Sequence, residues 1–341
     1  MSLLDTEVET ELRAAVAELL ADNPTTVDGT VGGDVWGSLR EMGLTTLPVP
    51  EELGGQGAGW REVAVVAEEL GRAVTPVPFL GGVLATAALL HLASDPAVEV
   101  LRSGADAALV VPLSSWAGGP LPSVKADGTT LTGTVRSVAD AAAATAFLVP
   151  ADGSLWLARE AEVTPVTSLD VTRPVADVSF AGVAAVRLGD DGGAVAHALR
   201  VGAAVLAAEQ VGIAEWCLTT TVAYLKQRYQ FGRPVGSFQA LKHRLADLWQ
   251  EIVLARAAAK AAADAQDCGV DAELLACVAQ SLCAEVAVHA AEEAVQLHGG
   301  IGMTWEHPVH LYLKRAKADS IALGTPGRLR AVLAPLADLP A

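Results

Sequence analysis

Basic residues are scarce in this chain: 23 lysines and arginines stand against 40 aspartates and glutamates, a formal charge of −17 over 341 residues. A phosphate backbone needs a basic face, so the deficit argues against general nucleic-acid binding. A small polyanionic ligand held by a few local arginines remains compatible with it. Aromatic residues are also few, at 4%, while 52% of the residues are hydrophobic. Alanine and valine carry much of that share, which suits a large helical core. Charged residues, at 18%, are too few and apolar ones too many for a disordered chain. The length allows two or three domains.

Other absences narrow the class further. No apolar run reaches the roughly 18 residues of a membrane span. The N-terminal "MSLLDTEVETELRAAVAELLADN" is acidic and amphipathic, without the basic start and apolar stretch of a signal peptide. The four cysteines, Cys217, Cys268, Cys277 and Cys283, form no CxxC, and three crowd into one alanine-rich stretch. They read as reduced core thiols of a cytoplasmic protein.

What is present falls into three zones. Residues 1–104 form a helical zone, in which "TEVETELRAAVAELLADN", "VWGSLREMGL" and "WREVAVVAEELGRAV" have helical apolar spacing. The third helix stops near "TPVPFLGG", and a Pro/Gly-rich insert, "LPVPEELGGQGAGW", separates it from the second. Residues 105–190 change to short apolar runs such as "ALVVPLSS", "TAFLVPADGSLWLARE" and "ADVSFAGVAAVRLG", the pattern of a small antiparallel β-barrel or sandwich. Residues 191–341 return to long helices that should pack as a four-helix-bundle domain, one of them starting after Asp271 as N-cap. The expected class is α+β, mostly α.

Two stretches invite chemistry. In "QRYQFGRPVGSFQALKHR", Arg228 lies beside a tight connection and the start of a new helix, an arrangement suited to a phosphate. Its plain alternative is a helix hairpin with solvated arginines. "QLHGGIGMTWEHPVHLYLKR" holds His298, His307 and His310, but no carboxylate or cysteine completes a zinc set. Glycines 299, 300 and 302 allow close backbone approach to a ligand.

Together "LPVPEELGGQGAGW", "QRYQFGRPVGSFQALKHRLAD" and "AVQLHGGIGMTWEHPVHLYLKRAKA", in this order, resemble the characteristic segments of the acyl-CoA dehydrogenase family. The resemblance covers nearly the whole chain. It implies FAD, an acyl-CoA substrate, and electron-transfer flavoprotein as acceptor. It also implies that Arg228, Phe231 and Gln239 contact the pyrophosphate–adenosine part of an FAD held by a neighbouring subunit. Gln296, His298, Gly299 and Gly300 would lie against the same cofactor across the interface.

The family reaction needs a carboxylate base, often the glutamate of an "IYEGT"-like turn. This chain reads "IALGT", so Leu323 stands there. A second family position for the base falls near Gly202. Glu209, two helical turns further on, is the substitute candidate, with a helix or interface polar role as its alternative. Asp319 reads as a solvated or ion-paired residue. The backbone N–H of the Leu323 turn remains a candidate donor to a thioester carbonyl. The loop and strand that embrace the flavin ring in the family read "VVPLSSWAGGPLPSV" and "VRSVADAAAATAF" here, without the family's polar residues.

These losses beside intact C-terminal segments resemble the short subunits of heteromeric actinobacterial acyl-CoA dehydrogenases of steroid degradation, in which a companion chain supplies base and flavin bed. Two further readings stay open: a self-sufficient homo-oligomeric dehydrogenase with an unusual base, and a non-catalytic acyl-CoA-binding or scaffold protein. An FAD shared at an interface implies at least a dimer.

Overall fold

The computed structural model describes residues 4–337. Five helices open the chain: α1 (Glu7–Asp22), α2 (Val35–Glu41), α3 (Trp60–Ala73), α4 (Phe79–Leu92) and α5 (Asp95–Ser103). Thr6 starts α1 with a capping box, its hydroxyl accepting from the Glu9 N–H while the Glu9 carboxylate accepts from the Thr6 N–H. The third expected helix does stop before the "TPVP" signal, but α4 follows at once. Its sequence, "FLGGVLATAALLHL", has no polar face to reveal a period, because it is buried nearly all round.

Among the described residues nine strands occur: β1 (Ala107–Leu109), β2 (Lys125–Asp127), β3 (Thr130–Ala139), β4 (Ala146–Ala151), β5 (Ser154–Ala158), β6 (Glu162–Val166) and β7 (Val175–Asp190) after the five helices, and further on a small hairpin of β8 (Tyr229–Gln230) with β9 (Arg233–Pro234). The first seven make one sheet in the order β1-β4-β5-β7-β3-β2, with β6 also on β7. The 16-residue β7 is the hinge of this sheet. Its first half pairs with β3 and β6 and its second half with β5. Phe147, Val149 and Trp156 from one half meet Leu131, Val135, Val178 and Phe180 from the other in one apolar cluster.

The C-terminal part is built on three long helices, α6 (Ala194–Gln227), α7 (Gln239–Cys268) and α8 (Ala272–His298), with the shorter α9 (Val309–Asp319) and α10 (Pro326–Leu336) against α8. The expected C-terminal helical domain is thus built, among the described residues, of three long helices and two short ones, and the chain leaves α8 through a 3-10 turn at residues 299–303. Asp271 occupies the N-cap position of α8 in a left-handed conformation, and its side chain makes no capping bond. Cys217, Cys277 and Cys283 are buried free thiols, whereas Cys268 is exposed.

Two helices, 194–227 and 272–303, are long and apolar enough to cross a membrane by length and composition, yet 83% and 61% of their apolar windows are buried in the fold. They are core helices. Helix α3 crosses α6 at backbone contact: a Cβ on Gly71 would stand 2.1 Å from the Glu209 carbonyl oxygen, and one on Gly212 1.9 Å from that of Glu68. Only glycine permits that approach. It brings the end of α3 and the middle of α6 to one level, where the next elements converge.

Candidate functional site

The turn after α9 is closed from three sides. Leu323 is 1% exposed and sits in the left-handed region with φ 53°. Its N–H donates to the Leu113 carbonyl at 2.8 Å, and the Leu113 N–H donates to the Ser137 carbonyl at 2.9 Å. The loop after β1 is thus stitched between β3 and the turn. Trp116 of the same loop packs on Gly324, where a Cβ would lie 3.1 Å from its own Cβ, and the Arg328 guanidinium stands 4.4 Å over its ring.

The two positions expected for a base face each other here. A Cβ on Gly202 would be 3.1 Å from Leu323 Cδ1 and 2.4 Å from Leu84 Cδ2. Leu84 comes from α4, the helix the sequence did not reveal. These groups fill the space with hydrocarbon and offer no proton acceptor. The turn's N–H does not serve as a free donor for a thioester carbonyl either, since Leu113 takes it.

The strand end beside this turn is equally committed. The Ser137 N–H donates to Asp177 Oδ1 at 2.9 Å, and the buried Asp140 carboxylate accepts from the Gly81 N–H at 2.8 Å. These bonds engage the Ser137 N–H and one Asp140 oxygen within the fold.

Glu209 is buried, as a base should be, but it does not face an open site. One of its carboxylate oxygens takes both the Arg173 guanidinium and, at 2.8 Å, Arg315 Nη1. Arg315 also ion-pairs with Asp170 at 2.7 Å and bonds Thr172. An oxygen held between two buried guanidiniums has the geometry of a structural ion pair and is not directed at an open site. Asp319 is not solvated: it is 0% exposed, 3.4 Å from Arg173 Nε, and neither of its oxygens has a hydrogen-bond partner.

The other expected residues gather at the opposite end of the bundle. Arg228 caps the C-terminus of α6, Phe231 tips the β8–β9 hairpin at 89% exposure, and Gln239 opens α7, whose N-terminus no side chain caps. Among the described residues the side chains of Arg228, Gln239 and Gln296 have no ion-pair or hydrogen-bond partner. Tyr224, one turn before Arg228, stacks on His298 with centroids 4.6 Å apart, which brings the end of α6 beside the end of α8. Gly299 and Gly300 follow there, both exposed. Free cation, bare helix amides and exposed glycines fit a pyrophosphate. Around them Tyr229, Ile301, Met303 and Trp305 are exposed apolar side chains.

His298 departs from its expected role. It is 2% exposed, sandwiched between Tyr224 and His307, with Nδ1 2.7 Å from the Ala294 carbonyl. Its ring packs the corner, with Nε2 buried and without a hydrogen-bond partner among the described residues. Burial holds His307 and His310 below the ordinary imidazole range. Among the described residues no group of three or more histidine, cysteine or acidic side chains could hold a metal.

Sequence reasoning missed the closing residues Leu84, Leu113 and Trp116 and the cations Arg173 and Arg315. The signal for Arg315 was present in the basic run "KRAKAD", but a helix facing solvent explains such a run equally well.

Comparison with known proteins gives the family and the fold. A profile described as "Acyl-CoA dehydrogenase, C-terminal domain" matches residues 190–335, and one described as "Acyl-CoA dehydrogenase, N-terminal domain" matches 5–97. The chain is 39% identical over 297 residues, 86% of its own length and 84% of the relative's, to "Acyl-CoA dehydrogenase IpdE2" of Mycolicibacterium smegmatis. It is similar to a chain of the ChsE4–ChsE5 complex from Mycobacterium tuberculosis, with TM-score 0.84, 29% identity and full coverage of both chains. A Tcur3481–Tcur3483 steroid ACAD is similar too, with TM-score 0.85 and 28% identity over 97% of this chain and 98% of that one.

Proposed function

The chain belongs to the acyl-CoA dehydrogenase family, and within it we propose that this is the non-catalytic subunit of a heteromeric FAD-dependent enzyme, completing the flavin site of a companion chain. The observation that carries the reading is the packing of Leu323 against Leu84 and the Gly202 backbone, with its N–H spent on Leu113. A subunit with that site filled has no place for a base, a thioester or a flavin ring of its own.

The open end of the bundle supports the second half of the proposal. Flavin, when bound, takes the hydride from the acyl β-carbon. This chain's part is binding: Arg228 would set its fork against the pyrophosphate, the α7 amides would add their dipoles, and Gly299 and Gly300 would let the backbone close on the cofactor. Phe231 and the apolar residues around it would be covered by the companion. That companion supplies the glutamate and the flavin bed.

The similar ChsE4–ChsE5 structure is described as a complex, and the other as a steroid ACAD. We extend both descriptions to this chain as a subunit acting on a steroid-derived acyl-CoA, with electron-transfer flavoprotein as the acceptor the family implies. The closed site likewise favours this over a self-sufficient homo-oligomer that would rely on Glu209.

The test is co-expression with a family chain whose turn carries the glutamate, followed by flavin absorbance and acyl-CoA-dependent dye reduction. The lone chain is expected to hold little flavin and turn over nothing, and the pair to do both. A lone chain with full FAD occupancy and robust turnover overturns the proposal.

A further inference from the structure

The buried ion cluster beneath the turn has an odd charge in it. Arg173, in the segment before β7, and Arg315, on α9, are the two cations, 3% and 4% exposed on their side chains. Glu209 on α6 and Asp170, in the same segment as Arg173, match them one for one. Asp319 is a third carboxylate with no cation left over. It stands 3.4 Å from Arg173 Nε without hydrogen-bond geometry, and both its oxygens are unpartnered. Asp140, at the end of β3, is a fourth buried acid near Arg173, and the Gly81 N–H on α4 satisfies only one of its oxygens.

Elements from every part of the molecule meet here. Arg315 Nη2 donates to the Thr172 carbonyl at 2.9 Å and lies 3.4 Å from the Thr75 carbonyl after α3. The Asp319 carbonyl accepts from Gln210 of α6 and Gln280 of α8, and Gln280 also bonds the Ala322 carbonyl at 3.1 Å, one residue before Leu323. The groups facing Asp319 are therefore Arg173 and Asp170 from the linker, Glu209 from α6 and Arg315 from its own helix, with two neutral glutamines at its backbone.

We propose that Asp319 is a buried proton-binding centre that makes the docking of the N-terminal helices, the sheet and the C-terminal bundle proton-linked. With the proton on, Asp319 adds no charge to the cluster, and the turn at 320–324 is held shut. With it off, a carboxylate without a hydrogen-bond partner is trapped in the core beside a guanidinium already engaged by Glu209, and the docking weakens.

The direction of the effect follows from the burial. The desolvated carboxyl is pushed up to about 7 from the usual 3.8. The folded chain then keeps a proton that the unfolded chain has lost, so stability falls as pH rises through that interval. Thermal unfolding of the full chain across it is expected to show a falling midpoint. Asp319→Asn, which keeps the shape of the protonated acid and cannot ionise, is expected to remove most of that fall. Parallel profiles for the two chains would overturn the proposal. Should the Asn variant fail to accumulate, infrared spectra of the Asp140→Asn chain decide the matter. A protonated-carboxyl band that bleaches near neutral pH upholds the assignment, and the absence of such a band in mildly acidic buffer sinks it.

Discussion

Two regions of this chain, both read above as counterparts of the family's flavin-contacting segments, have opposite fates. At the turn after α9, the Leu323 N–H is taken by Leu113, and Leu84 and Trp116 pack against Gly202 and Gly324. At the end of the bundle, Arg228 has no partner among the described residues, and nothing lies within 4 Å of where a Cβ on Gly299 or Gly300 would stand. The difference teaches that losing a catalytic residue and losing a site are separate events. A lone substitution of glutamate by leucine would remove the base and leave the pocket around it unchanged. Here the loop after β1 is bonded to the turn, and the turn's leucine is packed as core.

The sharpest way to break this comparison is to put the carboxylate back. Leu323→Glu would bury a charge against Leu84 with no cation aimed at it, a loss of several kcal/mol by the usual cost of an unpaired buried charge (about 3–5 kcal/mol). Thermal unfolding of the lone chain should show a large drop, and dye reduction should stay at background. Turnover by that variant alone would mean that the site is not closed.

At the open region the expected loss is smaller and of a different kind. Arg228→Gln removes one charge-assisted contact, about 1.5–3 kcal/mol, or roughly 10–100-fold in flavin affinity. Flavin content of the co-expressed pair should fall, while the unfolding midpoint of the lone chain stays put. A midpoint that falls with it would assign Arg228 to the fold instead.

A pair of glycines sharpens the contrast. Gly202→Ala drives a methyl to 2.4 Å from Leu84 Cδ2, whereas nothing lies within 4 Å of the same position on Gly300. Overpacking at the first should cost about 1–3 kcal/mol, and the second should stay within about 0.5 kcal/mol in the lone chain. Denaturant unfolding of the two variants reads this directly. Equal effects would erase the distinction between filled and open.

How much of this was legible beforehand depends on whether the signal is local. The long helices α6, α7 and α8 were visible because tens of residues repeat one pattern, and the "QxxGG" and "RxxFG" segments because their spacing is short and fixed. The absence of a base at Leu323 was a one-residue fact. Closure was not legible, since it needs α4, β1, β3 and α9 to converge, and α4 carries no polar face to announce itself. Glu209 had the right spacing on its helix. Its partners, Arg173 and Arg315, lie 36 residues before it and 106 after it in sequence, beyond the reach of any pattern. His298 sat in a cofactor-like motif but packs between two rings, because the motif fixes the backbone turn and not the direction of each side chain.

The smallest expected effect has the most telling sign. Phe231 and Gly232 are the two central residues of the β8–β9 hairpin, with Gln230 paired to Arg233 and φ values of 54° and 76°. Positive φ at both positions is the turn in which Asn-Gly is favoured and a bulky aromatic is not. Phe231 is also 89% exposed, in edge contact only with Phe238. The lone chain therefore gains nothing from an aromatic there that asparagine would not improve upon. Phe231→Asn should raise the stability of the lone chain by about 1 kcal/mol as the left-handed strain is relieved. If the ring is there for a companion, the same variant should lower flavin retention in the co-expressed pair. Stability and assembly would then move in opposite directions on one substitution, which a residue serving only its own fold cannot produce. A variant less stable alone and unchanged in the pair would remove Phe231 from the interface and leave Arg228 and the glycines to carry it.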